Sequence, residues 1–132
     1  MKTLKSLVIV CILAMITSCA SAIKFPISKD APAADITALI KQDKYNNYKI
    51  EVVALNLANA NRLNPPKNNY SVWIVAENGE IKNIGQLTQK NAKKAVLETS
   101  TPFNIEEIFI TAEDQANLNT PSGKEISRIK VN

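Results

Sequence analysis

The 132-residue chain contains no histidine, and its two cysteines, Cys11 and Cys19, both fall within the first nineteen positions. Without an imidazole, a His-ligated zinc site or a Ser–His or Cys–His nucleophile cannot be assembled. With no cysteine beyond position 19, disulfides cannot brace the rest of the chain, which must hold by burial and sheet hydrogen bonds. Glycine is scarce, at three residues, and no Gly-x-Ser-x-Gly elbow occurs. Charge of one sign is lacking too: 16 basic face 12 acidic side chains, and setting aside Lys2 and Lys5 leaves 14 against 12. That balance argues against nucleic acid or a strongly acidic partner. The N-terminal apolar run covers only residues 7–16, well short of the roughly 20 needed to cross a bilayer. The expectation is a non-enzyme without cofactor or metal.

What is present begins with address. Lys2 and Lys5 precede the short apolar run, which ends in Ile16-Thr17-Ser18-Cys19; a basic start, a short apolar stretch and small residues make a secretory signal. Ile16, Thr17, Ser18 and Cys19 resemble the lipobox of bacterial lipoproteins. That resemblance implies a diacylglycerol-modified Cys19 with the chain cut just before it, and so a partner in membrane lipid through the acylated thiol. Several acyl chains hold a protein on a membrane where one holds only marginally. Cleavage at Ala20 or Ala22, or retention of an uncleaved helix, are the alternatives. Residue 20 is alanine, not aspartate, which in lipoproteins of enterobacterial type goes with passage to the outer membrane, facing the periplasm. The domain reading is a signal peptide over 1–18, a lipidated N-terminus and tether over 19–34, and a folded domain over 35–132. The tether carries Pro26 and Pro32 among lysines and small residues, with room for a short edge strand at 25–27.

Beyond the tether the pattern is that of strands. Residues 36–41 and 48–57 follow one another; Ile50, Val52 and Ala54 alternate with Lys49 and Glu51, and the alternation slips at Leu55 and Leu57. A bulge near Ala54 is one explanation for the slip, and a helix over the same residues is the alternative. Asparagines and Pro65-Pro66 mark a loop over 59–69. Residues 70–76, Tyr-Ser-Val-Trp-Ile-Val-Ala, are aromatic and β-branched, apolar on both sides, as in a central strand covered on both faces. Asn78-Gly79 predicts a hairpin turn with both central residues at positive φ, returning through 81–87. A lysine-bearing loop or edge over 88–94 precedes strands at 95–101, 103–112 and 125–131. The fold class is all-β: an antiparallel Ig-like or Greek-key β-sandwich of about seven short strands, behind an N-terminal signal helix and tether.

Pro65-Pro66 with Tyr70-Ser-Val72-Trp73, then Gly79, Asn83-Ile84-Gly85, Phe109-Ile-Thr-Ala-Glu113 and Pro121-Ser-Gly123 resemble the extracytoplasmic domain of anti-sigma-K factors. Small lipoproteins of Bacteroidota in which such a domain stands alone are similar as well. The resemblance runs from about Thr37 to Val131 and implies a small β-sandwich. It does not bring sigma binding, because the cytosolic helical segment and spanning helix of those factors have no counterpart here.

Candidate site residues are few. Trp73 serves either as a core residue or, if exposed, as a stacking platform for a sugar. Glu106 and Glu107 are adjacent on a strand and so face opposite ways, which bars a catalytic carboxylate pair. Glu113 and Asp114 fall in a predicted loop without the spacing of a calcium site. Ser71 and Ser122 have no histidine to activate them, and Asn69-Tyr70-Ser71 fits the glycosylation pattern without consequence in a bacterial address. Lys90, Lys93 and Lys94 read as a solvated face. The functional expectation is a lipid-anchored binding or accessory module docking on an envelope protein, with a carbohydrate or small-molecule binder as the alternative; an exposed apolar patch near Pro65-Pro66 would favour the former.

Overall fold

The computed structural model describes residues 20–131; the expected signal peptide over 1–18, with Ile16, Thr17 and Ser18 of the expected lipobox, and Cys19 lie outside the described residues. Two antiparallel sheets make an all-β sandwich. The first has the strand order β1 (Ser21–Lys24), β2 (Asp35–Gln42), β3 (Tyr48–Leu55), β7 (Lys94–Thr101), β6 (Thr88–Asn91). The second runs β5 (Ile81–Gln86), β4 (Asn69–Ala76), β8 (Ile105–Glu113), β9 (Lys124–Lys130). Consecutive strands β3 and β4 lie in different sheets, and each pairs with one of a second such couple, β7 and β8. This interlocking gives the Greek-key character, and it makes β3 and β4 interior strands of their sheets.

Period-two alternation fills the space between the layers. Ile36, Ala38 and Ile40 of β2 and Ile50, Val52 and Ala54 of β3 are buried with Val72, Ile74, Ile108, Ile110 and Ala112 of the other sheet. Each fully buried Ile or Val contributes about 1.5–3 kcal/mol of transfer free energy, and this core does the work that disulfides do in many small secreted domains.

The structure departs from the expectations in four places. Nine strands are present among the described residues where about seven were predicted. One addition, β6, takes residues 88–91 of the polar stretch expected as a loop or edge, and pairs along β7 as an edge with each of its four residues exposed. The other corrects the tether: β1 pairs with β2 through Ser21↔Ile40 to Lys24↔Thr37, and Phe25 is buried. The stretch 21–34 is therefore part of the folded body, because Ile23 and Phe25 have an apolar layer to cover.

The parity slip after Ala54 is not a bulge, since β3 pairs with β2 and β7 in unbroken register. The strand ends at Leu55, and Asn56 takes φ 57°, which turns Leu57 back into the core; asparagine tolerates that left-handed conformation better than most residues. The hairpin after β4 also differs: only Gly79 has positive φ, at 87°. The Gly79 amide donates to the Ala76 carbonyl at 2.8 Å and the Ala76 amide to the Glu80 carbonyl at 2.8 Å, the three-residue loop closed by a left-handed glycine.

Strand registers define two ends of the sandwich. Ser21 and the 43–47 turn share one end with the 77–80 turn, the 102–104 connection and Val131. We call this the proximal end, because the chain leading from Cys19 enters there. The distal end gathers the segments 25–34, 56–68 and 114–123.

Candidate functional site

At the distal end two irregular segments are fixed to the sheets by hydrogen bonds and burial. In 25–34, the Phe25 amide donates to the Ile36 carbonyl at 2.9 Å, and the Ser28 hydroxyl accepts from the amides of Asp30 and Ala31, both at 3.2 Å. The Ser127 hydroxyl donates to the Pro26 carbonyl at 2.9 Å. Burial of Phe25, Ser28 and Ala31 leaves Lys29 and Asp30 on the rim. In 56–68, the Tyr70 hydroxyl donates to the Ala58 carbonyl at 2.6 Å, and burial pushes the phenol up to about 12. The Lys67 amide bonds the Ala60 carbonyl at 2.9 Å and the Asn68 amide the Glu113 carbonyl at 3.0 Å, so the asparagine-rich loop is pinned to the end of β8.

Between these segments lies a cleft of about 340 Å³. Lys29, Arg62, Lys67 and Lys124 line it together with Leu63 and Pro65, and Asp30 is the lone lining carboxylate. Lys124 pairs with Asp30 at 2.6 Å and Lys67 with the more remote Asp114 at 3.2 Å. Lys29 and Arg62 have no carboxylate within salt-bridge distance among the described residues. The chain's modest total of +4 thus hides a local concentration of positive charge, beside low-dielectric walls that strengthen its field. Chemically the cleft suits an anionic group: carboxylate, phosphate or sulfate. Pro65 lines this cleft, so the region singled out in the sequence for an apolar patch is instead a mixed basic and apolar one.

Behind the cleft, the outer face of the β5-β4-β8-β9 sheet is also covered. Trp73 is fully buried, stacked on its cross-strand partner Phe109 with centroids 6.2 Å apart and planes 13° off parallel. The Arg128 guanidinium caps Phe109 at 4.0 Å while pairing with Glu107 at 3.1 Å. Trp73 Nε1 donates to Thr111 Oγ1 at 2.8 Å, and Thr111 Oγ1 donates to Glu113 Oε2 at 2.6 Å. The Ser122 hydroxyl donates to Glu113 Oε1 at 2.9 Å, and the Asn83 side chain bonds the Leu118 carbonyl at 2.9 Å. These bonds fold the 114–123 loop back over the sheet, and give a buried carboxylate the partners it needs.

Trp73 is therefore a packed residue with no surface to offer a ligand. Glu113 and Asp114 are divided: one is committed to Thr111 and Ser122, the other is exposed beside Lys67. Glu113 is the end of β8 rather than a loop residue, and no group of three metal-ligating side chains occurs among the described residues. Glu107 faces Arg128 on the outer surface, apart from Glu106. Ser71 is buried, and neither its hydroxyl nor the amide nitrogen of its cross-strand neighbour Gln86 has a hydrogen-bond partner among the described residues.

One carboxylate pair was missed because its members are 47 positions apart: Glu51 and Glu98 are directly opposed across β3 and β7 on the open face of the first sheet. The hydrogen bond from one carboxyl to the other, then desolvation and the Glu98 charge, hold Glu51 above its ordinary 4.5 against the opposing pull of Lys94. An acid whose folded pKa is raised stabilises the fold below its unfolded value, and that contribution is lost as pH rises through the raised value. At neutral pH the pair is repulsive. Glu51→Gln is expected to raise stability at pH 7 by about 0.5 kcal/mol, solvent screening included, with a smaller gain at pH 4. Urea denaturation at the two pH values measures this; an equal gain at both would refute the shared proton.

Compared with known protein families, with curated proteins and with solved structures, the chain matches none.

Proposed function

We propose that the chain is a lipoprotein held by an acylated Cys19 in the cell envelope, on the periplasmic face of the outer membrane. Its sandwich, of the type that resembles the extracytoplasmic domain of anti-sigma-K factors, is a non-catalytic binding module. It docks on an acidic surface of an envelope protein. The observation that carries this reading is the distal cleft, where Lys29 and Arg62 stand without carboxylate partners among the described residues, at the end opposite the chain's entry. A partner surface bringing carboxylates there would supply the missing counter-charges and gain orientation and on-rate from them. The sugar-binding alternative is the weaker one, because the buried Trp73 ring cannot stack on a ligand.

Two experiments test the two halves. Cys19→Ala is expected to abolish incorporation of a labelled lipid precursor and to release the protein from the membrane fraction; a variant that still labels removes the anchor. A photo-crosslinker at Asn64, on the cleft wall, is expected to capture one envelope protein in intact cells. Lys29→Glu with Arg62→Glu is expected to cut that yield at least about tenfold, since like-charge juxtaposition costs several kcal/mol. Both positions are exposed, so folding should be unaffected. Undiminished capture by the charge-reversed protein would sink the cleft as the docking site.

A further inference from the structure

We infer that the sandwich is seated directly on the bilayer, with its proximal end resting among phospholipid headgroups. This inference rests on the proposed acylation of Cys19 and adds the orientation of the body above it.

Ser21 is already paired with Ile40 in the first sheet. Only residue 20 separates it from Cys19, so at the reach of an extended chain the anchor is held within about 7 Å of the fold. A free tether is ruled out by that distance. Past Ile40, strand β2 continues through Lys41 and Gln42 before turning at 43–47. Two strand residues advance about 7 Å, so the tip of this hairpin reaches as far toward the membrane as Cys19 does.

The side chains at that end have the chemistry of a membrane interface, where aromatic rings sit at headgroup level and lysines reach up beside them. Tyr45, on the hairpin tip, is 72% exposed, Ile81 is 46% exposed and Phe103 38%. Lys44 Nζ stands 5.1 Å from the Tyr45 ring centre and Lys82 Nζ 4.7 Å from that of Phe103. The loops bearing them are tied together. The Tyr48 hydroxyl bonds Asn104 Oδ1 at 3.1 Å, and Asn104 Nδ2 bonds Glu77 Oε2 at 2.7 Å. Of the acids at this end, Asp43 Oδ1 accepts from the Tyr45 and Asn47 amides and Glu80 pairs with Lys82 at 2.9 Å, while Lys44 has no carboxylate within salt-bridge distance among the described residues. The proximal end thus presents exposed aromatic and apolar side chains with the unpaired Lys44 ammonium beside them on a braced surface, the chemistry of a headgroup layer.

Acylation consumes Cys19, so a cysteine placed elsewhere in the mature full-length lipoprotein is uniquely labelled. Tyr45→Cys and Arg62→Cys, each carrying an environment-sensitive fluorophore, are reconstituted into phosphatidylethanolamine/phosphatidylglycerol vesicles and floated on a density gradient. The floated Tyr45→Cys protein is expected to be quenched several-fold more strongly by headgroup spin-labelled lipid than Arg62→Cys. Equal quenching at the two positions, or none at 45, in protein that floats overturns the seating and leaves the anchor standing. Protein that does not float overturns both.

Discussion

Trp73→Ala is expected to lower the free energy of unfolding by about 3–5 kcal/mol, a large part of the 5–15 kcal/mol typical of a domain. The ring is fully buried and loses three things at once: its own burial, its stack on Phe109, and the Nε1 bond to Thr111. The last matters beyond its own strength, because Thr111 relays to the buried Glu113 carboxylate. Trp73→Phe keeps an aromatic ring against Phe109 but removes the donor, and is expected to cost about 1–2 kcal/mol. Urea unfolding followed by far-ultraviolet circular dichroism measures both, since the substitutions remove the fluorescent reporter. A loss below about 1 kcal/mol for the alanine variant would mean that the outer sheet face is not packed as described.

Gly123→Ala is the second large effect. A β-carbon at this position would stand 1.7 Å from the Ala112 carbonyl oxygen and 2.9 Å from Glu113 Oε1. Neither obstacle is a flexible side-chain end, because the carbonyl is backbone and the carboxylate is clamped by Ser122 and Thr111. Relief requires β9 to part from β8 where Ala112 faces Lys124. The expected cost is about 3 kcal/mol or more, at the upper end for overpacking. Gly79→Ala is the control: open space surrounds that position, but φ is +87°, so only the left-handed penalty of about 1–2 kcal/mol applies. Thermal unfolding ranks the two. A Gly79 variant as unstable as the Gly123 variant would show conformation, not contact, to be the reason for both glycines.

Much of this architecture was legible in the chain itself. β4 declared itself as an interior strand because Val72 and Ile74 on one side and Trp73 on the other are all apolar, and the second covering layer does exist. The alternation of Ile50, Val52 and Ala54 placed β3 correctly. What escaped was whatever depends on residues distant in sequence. The short edge strand expected at 25–27 forms instead at Ser21–Lys24, ahead of Pro26, since no local pattern announces that Ile23 and Phe25 will find a sheet to cover. The slip at Leu55 had two local explanations, and the choice lay in the left-handed φ of Asn56. The distal cleft was invisible because Lys29, Arg62, Lys67 and Lys124 look like scattered solvated charges until the fold gathers them. The Glu51–Glu98 pair was hidden for the same reason. Strand register creates the carboxylate pair, and the meeting of two loops creates the cleft.

The entry of the chain through β1 has a mechanical consequence. Suppose lipid on the proposed acylated Cys19 holds the chain just ahead of Ser21 while a partner pulls on the distal cleft: tension then runs along the axis of β1. Antiparallel ladder bonds lie across the strands, so the β1–β2 pairs from Ser21↔Ile40 to Lys24↔Thr37 are loaded together in shear. They are not peeled one at a time. The short terminal strand thereby acts as a rivet, and force reaching the protein from above is shared across the seam that joins it to its support.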